Sequence, residues 1–268
     1  VKDKTLIELA YRIDQINKPE KLLTRFDWYY EPKYDGIRCV LIDGCPTSRY
    51  GNTLNFPYLF DVQLPAEFRD LCLDGELFAG TPYATVAVKR YRTELPDLSK
   101  FTYHVFDIVP SKTLLPPHRT YDKSYLERKE LLREALQALF KDYPKLKQIV
   151  KFVEYKHLKV NQDKPERVVQ EAYDIANKYI KKGFEGIMLK RADSVYKPKR
   201  TRDWIKVKES VDIDANIIDF IRGTGKYKNA LGALVVKPRE GHLPNIYSKS
   251  VQDLQMNKGF SYGNIRIN

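Results

Sequence analysis

Cysteine is scarce: Cys39, Cys45 and Cys72 are the only three among 268 residues. So small and odd a number supplies neither a disulfide framework nor a four-cysteine zinc site. No apolar run approaches the roughly 20 residues that cross a bilayer as a helix. The segment from Val1 to Glu20 mixes charge with an amphipathic pattern and lacks the hydrophobic region of a signal peptide. Repeats and low-complexity tracts are also missing. Disorder is excluded by what remains, because 43% of the residues are hydrophobic and 12% aromatic. A soluble, intracellular, folded protein with no membrane association is expected, built as one large domain or two smaller ones.

Negative charge is in deficit, with 35 Asp+Glu against 47 Lys+Arg and a formal net charge of +12. The imbalance is uneven: residues 1–100 hold 14 basic and 15 acidic side chains, 101–200 hold 22 and 13, and 201–268 hold 11 and 7. Lys190, Arg191, Lys197, Lys199, Arg200, Arg202, Lys206 and Lys208 form the densest cluster, opposed by Asp193 and Asp203. Such a surface favours a polyanion, most often nucleic acid, although a solvated lysine-rich face has the same composition. Charge suggests a partner without naming a reaction.

Periodicity predicts an amphipathic helix over 5–16 and longer helices over 124–140 and 165–182, the last begun near Asp163 and stopped by Gly183. Short apolar runs at 37–42, 71–78, 101–109, 186–190 and 204–208 read as strands. Beyond a boundary near Glu209 the pattern changes to short strands, 215–221 and 230–237, separated by glycine-rich turns.

The most informative segment is Glu31-Pro32-Lys33-Tyr34-Asp35-Gly36-Ile37-Arg38. Alone, its Asp-Gly could be a surface turn between strands. An ordered series follows it: Ser48-Arg49-Tyr50-Gly51, Leu73-Asp74-Gly75-Glu76-Leu77 and Tyr103-His104-Val105-Phe106-Asp107. After a helical insert come Phe184-Glu185-Gly186 leading to Lys190, and Asp203-Trp204-Ile205-Lys206-Val207-Lys208.

In this order and at these separations the motifs resemble the covalent nucleotidyltransferase superfamily, most closely the ATP-dependent DNA ligases of the small viral or phage type, over about residues 27–234. The resemblance implies an α+β fold. A nucleotidyltransferase (adenylation) domain of antiparallel sheets flanked by helices would occupy 1–209, followed by a short, incomplete or minimal OB-fold β-barrel at 210–268. It also implies an enzyme that uses ATP with Mg²⁺ or Mn²⁺ to seal 5′-phosphate/3′-hydroxyl nicks in duplex DNA. The implied partner is nicked duplex DNA, bound by a monomer in the cytoplasm or, in a eukaryote, the nucleus. Within the superfamily the alternatives are an RNA ligase or an mRNA-capping guanylyltransferase. Outside it stands a nick-binding module without catalysis.

The resemblance assigns roles residue by residue. Lys33 would attack the α-phosphorus of ATP. A free lysine, with a pKa of about 10.4, can do so only where burial and nearby cations depress that value. Arg38, Lys206, Lys208 and a metal ion would supply the positive charge. Glu185 matches a magnesium-binding carboxylate, Glu76 the acceptor for the ribose hydroxyls, and Phe106 the ring that stacks on adenine, with an ordinary core phenylalanine as the alternative. Glu31 matches the position that reads the adenine amino group, and Asp35 one that organises the lysine or a metal-bound water. Arg38 and Arg49 would engage the ribose, the phosphates and the 5′-phosphate at the nick. Lys206 and Lys208, two apart on a strand, would face the α-phosphate together.

Past the boundary, segments beginning at Asp212 and at Gly223 resemble the start of a ligase OB domain. The Gly223-Thr224-Gly225-Lys226 run lacks the spacing of a P-loop. A minimal five-stranded barrel of roughly 50 residues barely fits the remainder. The family's basic C-terminal segment has no match, Arg266 is the only basic residue after Lys258, and the first residue is Val1. A partial or naturally shortened sequence is therefore expected, with lysine adenylylation the step affected.

Overall fold

The computed structural model describes residues 7–80, 98–161, 164–208, 215–222 and 231–238. The chain divides into two compact units, Val1–Glu209 and Ser210–Asn268.

The larger unit carries two five-stranded sheets. The first has the order β1-β10-β9-β2-β8, with β1 Leu9–Arg12, β2 Trp28–Lys33, β8 Lys156–His157, β9 Gly186–Arg191 and β10 Arg200–Val207. The second has the order β4-β3-β5-β6-β7, with β3 Ile37–Ile42, β4 Cys45–Ser48, β5 Leu71–Phe78, β6 Thr102–Pro110 and β7 Val150–Phe152. Pairing is antiparallel except at one edge of each sheet, where β1–β10 and β6–β7 run parallel. The expected antiparallel sheets are thus mixed ones, within an α+β architecture.

Strand alternation builds three apolar layers. On β3, Ile37, Cys39 and Leu41 turn toward Leu132, Ala135, Leu136 and Leu139 of the helix Tyr125–Asp142. On β9 and β10, Ile187, Leu189, Ile205 and Val207 meet Val168, Ala172 and Ala176 of the helix Val168–Ile180. The opposite faces of both sheets share a third cluster, in which Ile7, Ala10 and Trp204 join Val40, Ile42, Cys72 and Val109. Side chains that share these inward faces but are polar define the site.

The helix Tyr125–Asp142 begins with a reciprocal cap: the Glu127 N–H donates to Ser124 Oγ at 3.3 Å and the Ser124 N–H to Glu127 Oε2 at 2.7 Å. The helix expected over 165–182 starts as a 3₁₀ turn, Pro165–Arg167, and continues as Val168–Ile180; Gly183 follows at φ +92°. Asp163 lies outside the described residues.

The segment expected as a helix over 5–16 is instead β1 and the 3₁₀ turn Ile13–Gln15. Pairing with β10 accounts for the difference: it buries Ile7, Ala10, Ile13 and Ile16 and satisfies the backbone across the sheet rather than along a helix. The strand β2, which carries Glu31 and Lys33, has no counterpart among the expected elements.

In the second unit, β11 Ala215–Arg222 and β12 Leu231–Pro238 form an antiparallel pair. The other residues of the expected barrel, including the segment at Asp212, the Gly223–Lys226 run and Arg266, lie outside the described residues. Among the described residues no helix is long and apolar enough to cross a membrane.

Candidate active site

A cavity of about 320 Å³ opens in the larger unit, lined from both sheets. The first sheet contributes Glu31, Lys33, Met188, Lys190, Trp204 and Lys206, and the second contributes Ile37, Arg38, Glu76 and Phe106. Register explains the gathering. Glu31 and Lys206 both pair with Met188, so the three form one row across β2, β9 and β10.

Lys33 ends β2 opposite Gly186, and its carbonyl accepts the Glu185 N–H at 2.9 Å. This backbone contact sets the two side chains together: Lys33 Nζ donates to Glu185 Oε2, while Lys208 Nζ donates to Oε1 at 2.5 Å. Gly186 is required where β9 passes close to the end of β10. It has φ +144°, and an added Cβ would lie 2.2 Å from the Val207 carbonyl oxygen. Burial works to raise the Glu185 carboxyl, but Lys33 and Lys208 outweigh it and hold the group below its ordinary value. Lys206 is pushed down, first by burial and then by the charges of Lys33, Lys208 and Arg200.

Arg38 is held by a carboxylate that the motif reading quoted without giving it a role. Its Nε donates to Asp74 Oδ1 at 2.6 Å and Nη2 to Oδ2 at 2.5 Å. Asp74 is fully buried and also accepts the Tyr196 hydroxyl at 2.8 Å. The guanidinium lies 4.5 Å from the Phe106 ring centre and 5.4 Å from that of Trp204. Of the cations expected around Lys33, then, Lys206 and Lys208 adjoin it, whereas Arg38 is tied to Asp74. Phe106 is half-buried: it lines the cavity and meets Trp204 edge to face at 6.1 Å. Among the described residues, the buried Trp204 Nε1 has no hydrogen-bond partner.

Glu76, half-buried beside Arg38 in the β3–β5 register, is pushed up to about 7 by burial, which the charges of Lys33 and Arg38 only partly offset. Glu31 lies deeper, at 1% exposure. Its Oε1 accepts from the Tyr125 hydroxyl at 2.8 Å and Lys129 Nζ at 2.9 Å, and Lys190 Nζ stands 2.8 Å from Oε2. Burial alone would raise this carboxyl; the two ammonium groups hold it below its ordinary value.

Arg49 lines the cavity but is exposed, with its guanidinium 4.5 Å from the Tyr50 ring centre. Asp35 is exposed in the turn between β2 and β3 and is not part of the cavity wall. Glu185 and Lys208 adjoin the cavity through Lys33 rather than lining it.

Asp74, Lys129, Lys190, Tyr196 and Trp204 were not among the expected site residues. Asp74 had a legible signal, since alternation along β5 puts it on the same face as Glu76. Among the described residues no group of three or more His, Cys, Asp or Glu side chains could hold a metal. Glu185 offers a single carboxylate, which suits Mg²⁺ when phosphates and waters complete its shell.

Comparison with known proteins places these features in a family. A probable DNA ligase of Dictyoglomus thermophilum is 26% identical over 250 residues, covering 83% of this chain and 39% of the relative. A DNA ligase of Thermococcus onnurineus is 28% identical over 227 residues, covering 80% of this chain and 38% of the relative. The chain thus spans about two fifths of the length of these relatives. Among solved structures, the ATP-dependent DNA ligase of bacteriophage T7 in complex with ATP shares the fold at a TM-score of 0.60 and 19% identity, over 96% of this chain and 88% of that one. Chlorella virus DNA ligase-adenylate does so at 0.52 and 19%, over 93% and 89%. Residues 8–208 match the family described as ATP dependent DNA ligase domain, and the chain belongs to that family.

Proposed function

We propose that the chain acts as a monomeric ATP-dependent DNA ligase on 5′-phosphate/3′-hydroxyl nicks in duplex DNA, with 1–209 as the adenylation domain and 210–268 as the OB-fold domain. The observation that carries this reading is Lys33, a lysine held by Glu185 at the wall of a cavity that also presents Glu31, Glu76 and Phe106. An amine so placed, next to an apolar ring and two carboxylates, suits attack on a nucleoside triphosphate.

In the first step the Lys33 ammonium leaves Glu185 and gives up one proton to solvent before attack and a second once the bond to phosphorus has formed. Its nitrogen then bonds to the α-phosphorus of ATP, the bond from that phosphorus to the bridging oxygen breaks, and pyrophosphate departs. Phe106 offers its ring to the adenine, and Glu31 accepts from the exocyclic amine. Glu76, with a pKa of about 7, exchanges hydrogen bonds with the ribose hydroxyls in either protonation state. Lys206 and Lys208 stabilise charge as it develops on the α-phosphate. Mg²⁺ or Mn²⁺ bound by Glu185 would neutralise phosphate charge and replace an ammonium as the partner of that carboxylate.

In the second step the DNA 5′-phosphate takes the adenylyl group, the nitrogen–phosphorus bond breaks, and Lys33 takes two protons from solvent to become an ammonium again. Arg38 and Arg49 hold the incoming phosphate. In the third, the 3′-hydroxyl loses its proton to the surroundings and attacks the 5′-phosphorus, releasing AMP. Asp35, exposed beyond Lys33, acts by organising the turn that presents the lysine.

The test is sealing of a labelled nicked duplex with ATP, with GTP, and with an RNA nick in place of DNA. A pre-adenylylated DNA nick supplied without nucleotide completes the set. Sealing of DNA with ATP, or of the pre-adenylylated nick alone, is expected. DNA binding without sealing in either format, or a requirement for GTP, would overturn the reading.

A further inference from the structure

Most buried charges among the described residues belong to the motifs or brace them. Lys129 lies outside the motifs: it sits on the helix Tyr125–Asp142, in the insert between the motif strands, at 0% exposure. An ammonium has three protons to donate. Here three acceptors surround it: Glu31 Oε1 at 2.9 Å, the Val153 carbonyl at 2.7 Å and the Phe106 carbonyl at 3.4 Å. The ammonium also lies against aromatic rings, with Nζ 4.3 Å from the centre of Phe152 and 5.1 Å from that of Tyr155. Glu31 belongs to the first sheet and Phe106 to the second, and both line the cavity.

The β5–β6 register supplies a second, independent observation. Asp74 pairs with Asp107 and the next residue, Gly75, pairs with Val105, so Phe106 is passed over and faces no partner on β5. It is the extra residue of a β-bulge, a feature that re-aims a side chain and leaves its backbone without the usual cross-strand partner. The Lys129 ammonium reaches the carbonyl of that residue.

We infer that Lys129 is a positioning residue for nucleotide binding: one buried ammonium ties the Phe106 bulge of one sheet to the Glu31 carboxylate of the other and so sets the two walls of the base site. The inference rests on the ATP-dependent reading above. Without the ammonium, Glu31 keeps Tyr125 and Lys190, but the Phe106 and Val153 carbonyls lose a buried donor and the bulge is free to relax.

The experiment follows lysyl-AMP formation across ATP concentrations for wild type, Lys129→Met and Lys129→Arg, with thermal midpoints measured alongside. The expected result is a KM for ATP raised roughly tenfold in Lys129→Met with kcat within about twofold, the pattern of lost binding rather than lost chemistry. Lys129→Arg, which keeps charge and donors, should recover most of the loss. Generalised damage to the fold lowers the active fraction, and with it kcat, at unchanged KM. An unchanged KM in Lys129→Met therefore overturns the inference, whatever kcat does. If that variant does not fold, Lys129→Gln is read by the same criterion. A wild-type chain that neither loads AMP nor seals a pre-adenylylated nick defeats the ligase reading itself. A wild type that loads, beside variants with wild-type KM, defeats only the role of Lys129.

Discussion

Lys33 and Glu185, 152 positions apart, meet because the last residue of β2 is the register partner of Gly186, the first residue of β9. The Glu185 N–H donates to the Lys33 carbonyl, and the two side chains then join in an ion pair that Lys208 shares. The proposed nucleophile and its carboxylate are thus placed by strand pairing rather than by a flexible loop. Elements of regular structure hold side chains within tighter limits than loops do, and transfer to phosphorus depends on such placement.

Gly186→Ala tests that register. The new methyl would fall 2.2 Å from the Val207 carbonyl oxygen, on a residue at φ +144°. A loss of about 2 kcal/mol or more is expected, from steric overlap together with backbone strain. Lysyl-AMP formation should fall with it, because Glu185 moves. Urea denaturation measures the first effect, and a variant with wild-type stability would contradict the account of why glycine stands there.

Phe106→Ala should weaken ATP binding by about 1 kcal/mol, roughly fivefold, for the loss of one stacking face. Titration calorimetry with ATP reads it directly. Unchanged affinity would return Phe106 to the role of a packing residue beside Trp204 and Arg38.

Glu8 predicts a pH dependence of stability. Burial raises its carboxyl to about 7, against the opposing pull of Thr201, the Lys197 N–H and Arg128. The unfolded chain releases this proton near the ordinary glutamate value of 4.5, so between 4.5 and about 7 the folded state holds more protons. Stability must therefore decline as pH climbs through that window and level off above it, by a contribution on the order of 3 kcal/mol. Glu76 acts in the same direction over the same window. Thermal midpoints from pH 4.5 to 8 should show a shallower decline in Glu8→Gln than in wild type; equal slopes would remove Glu8 as a source.

The elements legible in the sequence are those whose burial is written locally. The strands Ile37–Ile42 and Leu71–Phe78 carry apolar residues on both faces, one packing under a helix and the other, interrupted by Arg38, Asp74 and Glu76, against the opposing sheet, and they read as short hydrophobic runs. The helix Tyr125–Asp142 shows its stripe plainly. β1 misled because Leu9, Ile13 and Ile16 have helical spacing, while the force that decides its form is pairing with β10, nearly 200 residues later. β2 was invisible for a related reason. Glu31, Pro32 and Lys33 break any apolar alternation, and the face that Glu31 and Lys33 share is polar because it lines a cavity. Motif order pointed to Lys33, Glu76, Glu185 and Lys208. It gave no role to Asp74 or Lys129, whose meaning lies in contacts between elements: a bidentate grip on Arg38 in one case, a tie between sheets in the other.

The most direct test of the central claim is the intact mass of the purified chain after incubation with ATP and Mg²⁺, beside the same measurement with GTP and with Lys33→Ala. The account predicts a gain of one AMP with ATP alone, absent from the variant. AMP retained by Lys33→Ala would contradict it, because the nucleophile would then be another residue.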